Sequence, residues 1–170
     1  MKLSYATWFA FLAALSLISC NAELKLIEAT KQAYSGGAAG SSPGIHYTVK
    51  LQKPKGIPLT LAGVWMGTRE SGKLFNGQIQ IEDGKIQISN GEVPADVEIY
   101  SVRFTERFAG EGNPRNPNME SRKANPAESD APEWLPADFE SGCILMFSVK
   151  DKKTFVKVAD WKELPRMNLP

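Results

Sequence analysis

Ile45-His46-Tyr47-Thr48-Val49-Lys50-Leu51-Gln52 alternates apolar and polar residues without a slip. Side chains on an extended strand point to opposite faces in turn. The octet therefore predicts a β-strand with Ile45, Tyr47, Val49 and Leu51 toward a core and His46, Thr48, Lys50 and Gln52 toward water. The same period of two governs Ile79-Gln80-Ile81-Glu82-Asp83-Gly84-Lys85-Ile86-Gln87-Ile88. A two-residue turn at Asp83-Gly84 sets Ile79 opposite Ile88, Ile81 opposite Ile86 and Glu82 opposite Lys85, so apolar and charged pairs share one register. A second turn at Asn90-Gly91 adds a short strand over residues 92–95, which Pro94 pushes to an edge.

Working outward, residues 59–68 and 143–149 are more uniformly apolar, as inner strands are. Residues 24–29, 96–105 and 154–160 supply further strands. In Val97-Glu98-Ile99-Tyr100-Ser101-Val102-Arg103-Phe104 the apolar parity flips between Ile99 and Tyr100, which predicts a bulge there. No amphipathic helix interrupts the series. Seven or eight short strands separated by turn residues predict an all-β fold, an antiparallel β-sandwich of immunoglobulin-like general architecture. Residues 107–141 break the pattern with five prolines, two glycines, and seven acidic against four basic residues in 35 positions. They form one long loop, either mobile or functional.

A chain of 170 residues with 42% hydrophobic and 23% charged residues is one domain's worth of globular sequence. With 14 Gly and 2 Cys it has the bias neither of a collagen-like repeat nor of a disulfide-dense scaffold. Lys and Arg number 20 against 19 Asp and Glu, and removal of Lys2 levels them at 19. Nucleic-acid binding draws on a basic surplus that releases counterions from phosphates. That partner is not expected.

The first twenty residues carry an address. One positive charge at Lys2 precedes a nearly unbroken apolar run over residues 5–18, then the small residue Ser19 and Cys20. This is the layout of a secretory signal peptide, and the run falls short of the roughly 20 residues that cross a ~30 Å hydrocarbon core. Leu17-Ile18-Ser19-Cys20 resembles the lipobox of bacterial lipoproteins. That resemblance implies removal of residues 1–19 and attachment of diacylglycerol to the Cys20 sulfur. The new amine would be acylated, and residues 20–170 would form a single tethered domain. Several acyl chains at ~0.8 kcal/mol per buried CH₂ hold a protein where one chain does not. An ordinary signal peptide cut after Ala22 is the competing reading. Asn21 is not the Asp of an inner-membrane retention signal, so the expected location is the outer membrane of the cell envelope.

A second resemblance lies downstream. Ala29-Thr30-Lys31-Gln32, then Tyr34-Ser35-Gly36-Gly37-Ala38-Ala39-Gly40-Ser41 and His46-Tyr47, resemble the opening of a group of small Gram-negative lipoproteins. The likeness extends to Val64-Trp65-Met66-Gly67, Lys162-Glu163-Leu164 and Asn168-Leu169-Pro170. It covers about a third of the mature chain, implies the same localisation and carries no activity with it.

Candidate chemistry is sparse. If Cys20 is a thioether, Cys143 has no partner, and its apolar surroundings predict a buried, unreactive thiol. His46 is the only histidine and falls on the wetter strand face, so no Ser-His-Asp triad can be assembled around it from sequence. The Gly36, Gly37 and Gly40 string fits neither GxxxxGK[ST] nor GxGxxG, and a strand follows it. It reads as a turning connection, with a backbone nest for a small anion or a peptide terminus as the alternative. The acidic run Glu128, Asp130, Glu133, Asp138 and Glu140 reads as solvated, with a loose Ca²⁺ site as its alternative. No cofactor is expected. Trp65 and Trp161 are expected in the core. Trp134, flanked by Pro132 and Pro136, docks either on the domain itself or against a sugar or protein partner.

Two function classes follow. One is a non-enzymatic binding or structural module, anchored in the membrane by lipid and facing an envelope protein or glycan. The other is a small envelope hydrolase using carboxylates. The first is preferred because no nucleophile-base pair is in sight, and convergent acids in a concave pocket would favour the second.

Overall fold

A computed structural model describes residues 24–35, 42–81, 87–88, 91–108 and 130–168. The strands are β1 (Lys25–Ser35), β2 (Gly44–Gln52), β3 (Leu59–Thr68), β4 (Gly72–Phe75), β5 (Gln78–Ile81) and β6 (Gln87–Ile88), followed by β7 (Glu92–Val93), β8 (Ile99–Arg107), β9 (Ser141–Val149), β10 (Lys152–Val158) and β11 (Lys162–Asn168). They form two sheets, β11-β1-β2-β8-β5-β6 and β10-β9-β3-β4, with β7 added to the start of β3. The expected sandwich is present, and one strand pair departs from it: β11 runs parallel to β1.

Between the sheets, Tyr47, Val49 and Leu51 from β2 and Tyr100, Val102 and Phe104 from β8 meet Leu59 and Val64 from β3 and Cys143, Leu145 and Phe147 from β9. Tyr47 stacks on Phe104 with ring centres 5.0 Å apart, and Trp161 closes that end edge-on to Tyr47 at 5.1 Å. The alternation read from residues 45–52 therefore points where it should. The Tyr100 hydroxyl is the exception within this core, buried without a hydrogen-bond partner among the described residues.

The second sheet is apolar on both faces. Trp65 and Ile144 lie on its outer side and are covered by Leu135 and Phe139, both of which are buried. Residues 130–140 thus form a strap over the sheet. Arg69 fastens it by donating from Nη2 to the Leu135 carbonyl at 3.1 Å and to the Pro136 carbonyl at 2.6 Å. Lys157 meets Asp138 at 3.5 Å on the strap's exposed rim. Trp65 itself lies against Gly72, where an added Cβ would sit 2.4 Å from the indole, so only glycine fits that rung. This cover explains the uniformly apolar strands, because a strand wet on neither face loses its alternation.

Several sequence expectations change. Ile79 faces Ile88 and Gln80 faces Gln87, as the hairpin reading requires, and its turn lies outside the described residues. The strand after Asn90-Gly91 does not extend that hairpin. It is two residues long and pairs with β3 of the other sheet, where Val93 enters the core. No bulge interrupts Ile99 and Tyr100: β8 pairs with β2 without a register shift, and the parity flip marks where the strand begins. Register shifts fall instead at Leu26/Glu28 in the β1–β2 pair, at Leu61/Gly63 in the β3–β9 pair and at Gln32/Tyr34 in the β1–β11 pair. β1 runs on through Ser35, well past residue 29, and β4 and β11 are additional strands.

Two substitutions test the packing. Arg69→Ala removes a charged double donor to the strap and should lower unfolding free energy by about 1–3 kcal/mol in urea titrations. Unchanged stability would mean that apolar cover alone holds the strap. Tyr100→Phe deletes an unpaired buried hydroxyl and should be neutral or stabilising by about 1 kcal/mol, and a large loss in the same titration would reveal a hidden partner.

Candidate functional site

The outer face of the six-stranded sheet stays open and polar. Register lays its side chains out in rungs. Glu28, Lys50, Ser101 and Gln80 share a rung near the foot, and Lys162, Thr30, Thr48, Arg103 and Gln78 the next. Above them come Leu164, Gln32, His46 and Thr105, then Met167, Tyr34, Gly44 and Arg107. A cleft of about 680 Å³ runs over the upper rungs, bordered by Leu164 and Met167 on the β11 side and by Leu74 and Asn76 on the other.

His46 sits at its centre. The ring stacks on Tyr34 with centres 4.3 Å apart, and Nδ1 lies 2.8 Å from the Thr105 hydroxyl. It is half-buried rather than openly exposed, because Tyr34 folds across Gly44 to reach it. A Cβ at Gly44 would come within 2.6 Å of the Tyr34 hydroxyl and closer still to the Glu106 carbonyl, so this rung admits only glycine. Burial, and then the nearby charges of Arg103 and Arg107, hold the His46 pKa below its ordinary value of 6.5. Arg103 and Arg107 are exposed, and neither has an ion-pair partner among the described residues.

Carboxylates are placed elsewhere. Glu28, at the foot of the face, is tied to Lys162 at 2.9 Å, and that hydrogen bond lowers its pKa. Glu106 points into the sandwich end, where it accepts from Lys73 at 3.0 Å and from the Tyr47 hydroxyl at 3.3 Å. Burial and this carboxylate push the Tyr47 phenol well above its ordinary range. Two acids facing one another across a cleft, the arrangement carboxylate hydrolysis uses, are not present among the described residues of this face. Cys143 is buried, and burial pushes its thiol up to about 12, which leaves no thiolate for chemistry near neutrality.

Of the described residues singled out by sequence for candidate chemistry, His46 lies here and the others do not. Cys20, Gly36, Gly37 and Gly40 lie outside the described residues. Trp134 is half-buried on the opposite side of the sandwich, stacked 6.5 Å from Phe155 and lying over Gly63. Of the acidic run, Asp130, Glu133, Asp138 and Glu140 are described, and no three His, Cys, Asp or Glu side chains among the described residues could hold a metal ion. The face was missed because its members are the ordinary polar positions of four separate strands. Only the sheet order makes them neighbours.

Comparisons with protein-family patterns, curated proteins and solved structures return no match to this chain.

The His46 environment makes a pH prediction. Facing it are Gln32 and Tyr34 from β1 and Arg103, Thr105 and Arg107 from β8, with no carboxylate on these rungs. A histidine with a lowered folded-state pKa takes up its proton more readily when unfolded. The contribution of His46 to folding stability should therefore be level above pH 6.5 and fall as pH drops from 6.5 through the folded pKa. His46→Gln should flatten that segment of the stability profile. An NMR titration midpoint at or above 6.5 would contradict the geometry.

Proposed function

We propose that this chain is a lipid-anchored lipoprotein of the bacterial cell envelope, placed in the outer membrane. In this reading it is a non-enzymatic binding module that holds its partner on the open face of the six-stranded sheet. The anchor rests on the Leu17-Ile18-Ser19-Cys20 string. Leu24 and Lys25, where the described domain begins, lie beside Gln52, Lys53, Pro54 and Lys55 at one end of the sandwich. Three residues separate Cys20 from Leu24, and the four extended Cα–Cα steps between them span at most about 14 Å, so that end would stay close to the bilayer. The rungs of the open face lead away from it, toward Tyr34, Gly44 and Arg107.

The observation that carries the binding reading is the composition of the cleft: amides, hydroxyls and two arginines between the apolar borders Leu74, Leu164 and Met167, with no ion pair to either arginine and no pair of acids among the described residues. Such a surface can hold and orient a polar partner. It offers neither an activated nucleophile nor an acid-base couple, which weighs against the carboxylate hydrolase.

The anchor is tested on protein taken from membranes of the native host. A mass above that of residues 20–170 by two or three acyl chains, with partition into detergent, is the expected result. Cys20→Ala should abolish both while circular dichroism and the unfolding midpoint stay unchanged. A soluble species beginning at Glu23 would overturn the tether.

A further inference from the structure

Arg103 and Arg107 stand four residues apart on β8 and point to the same face, which puts their Cα atoms about 13 Å apart along the strand. A compact oxyanion would engage one of them. A chain that repeats its charge would engage both, with the half-buried His46 between them. Across the strands the spaces around the arginines are filled by Gln32, Gln78, Thr30 and Thr48, each able to donate and to accept. Hydroxyl-rich ligands use this two-way hydrogen bonding along their whole length, and the carbon faces of their rings can lie against the apolar borders Leu74, Leu164 and Met167, whereas an acidic peptide offers two-way hydrogen bonding only at its backbone. Nucleic acid would look for an open stacking ring, and Tyr34, the aromatic on these rungs, is only 6% exposed and already stacked on His46.

We propose that the cleft on the outer face of the six-stranded sheet is a binding site for an extended acidic polysaccharide, its carboxylate or phosphate groups paired to Arg103 and Arg107 and its hydroxyls to the flanking glutamines and threonines. This rests on the binding-module reading of the same face and names its ligand class. Arginine is suited to the task because its planar fork takes two oxygens of a carboxylate or phosphate at once. The glutamines add selectivity for the uncharged part of the chain. The site is solvent-open, so affinity would come from several weak contacts along the ligand and fall with added salt.

The test uses the lipidated protein in neutral detergent micelles, titrated with polygalacturonate, a carboxylated glycan. Dextran serves as the uncharged glycan, polyglutamate as a charged chain without sugar hydroxyls, and a DNA oligonucleotide as a phosphate polyanion. Salt-sensitive binding of polygalacturonate is expected to exceed binding of all three others. Arg103→Gln and Arg107→Gln should each weaken it about tenfold. Gln32→Ala with Gln78→Ala should weaken polygalacturonate by about three- to tenfold and leave any residual polyglutamate binding unchanged. Lys152→Gln with Lys153→Gln, on the hairpin of the other sheet, should change nothing.

Equal affinity for polyglutamate or DNA with silent glutamine variants would overturn the saccharide assignment, and equal affinity for dextran would overturn the acidic one. Arginine variants that bind normally would remove the ligand from this cleft altogether. A photo-crosslinker at Thr48 in cells separates this failure from that of the underlying reading. Capture of an uncharged envelope component there would retire only the ligand class, and capture of nothing would retire the binding face. The anchor is read independently from the mass of the same preparation.

Discussion

Cys143 and Ile144 are neighbours in sequence, point to opposite faces of β9, and are both almost wholly buried. The rest of the architecture answers that constraint. One face of β9 needs a partner sheet, and β2 and β8 supply it through Val49, Leu51, Tyr100 and Val102. The other face needs cover that no sheet provides, and residues 130–140 provide it with Leu135 and Phe139 against Trp65 and Ile144. Fully burying each such side chain stabilises by about 1.5–3 kcal/mol, which offsets part of the cost of ordering the strap, and the Arg69 hydrogen bonds and the Lys157–Asp138 pair add to it. Pro132 and Pro136 lower that cost further, because their fixed φ leaves less freedom to lose.

The opposite sheet carries no such obligation on its outer side. Its strands keep the strict alternation that a half-wet sheet imposes, so every second residue of β1, β2, β5 and β8 is free to be polar. That freedom is used unevenly. Glu28 at the foot is neutralised by Lys162, while the rungs above Glu28 carry Arg103 and Arg107 with no ion-pair partner for either among the described residues. Tyr34 bends over Gly44 to pack against His46, and burial with the two nearby arginines holds the imidazole pKa down. The upper part of this surface is thus cationic and furnished with amides and hydroxyls.

How much of this was legible follows from which force forms each element. β2, β3, β8 and β9 are written in apolar periodicity because core burial drives them, and the readings of residues 45–52, 59–68 and 143–149 match the observed strands closely. β11 is nearly all exposed and contains Pro165. It is held by side-chain ties instead, Lys31 to Glu163 at 2.7 Å, Gln32 to the Pro165 carbonyl at 2.9 Å and Ser35 to Asn168 at 2.8 Å. None of these leaves a mark on its own sequence. The β9–β10 turn was hidden for another reason: Lys150 and Asp151 adopt φ of 47° and 64°, the conformation that Asn-Gly normally signals. The cleft was hidden because Gln32, His46, Arg103 and Gln78 lie on four strands whose lateral order is a property of the whole fold.

Strand edges decide how a partner can approach. An open edge invites an extra strand, and this domain blunts each of its own. β11 presents Pro165, which has no N–H to donate, and β6 is only two residues long. β10 carries Lys152, Lys153 and Lys157, whose charges disfavour an apolar strand laid beside them, and β4 is four residues long. The outer side of the second sheet is occupied by the strap and by Trp134. With these edges guarded and one face covered, the surface left open among the described residues is the outer face of the six-stranded sheet. It presents side chains instead of backbone, so its chemistry is set by which amides, hydroxyls and cations the rungs bring together.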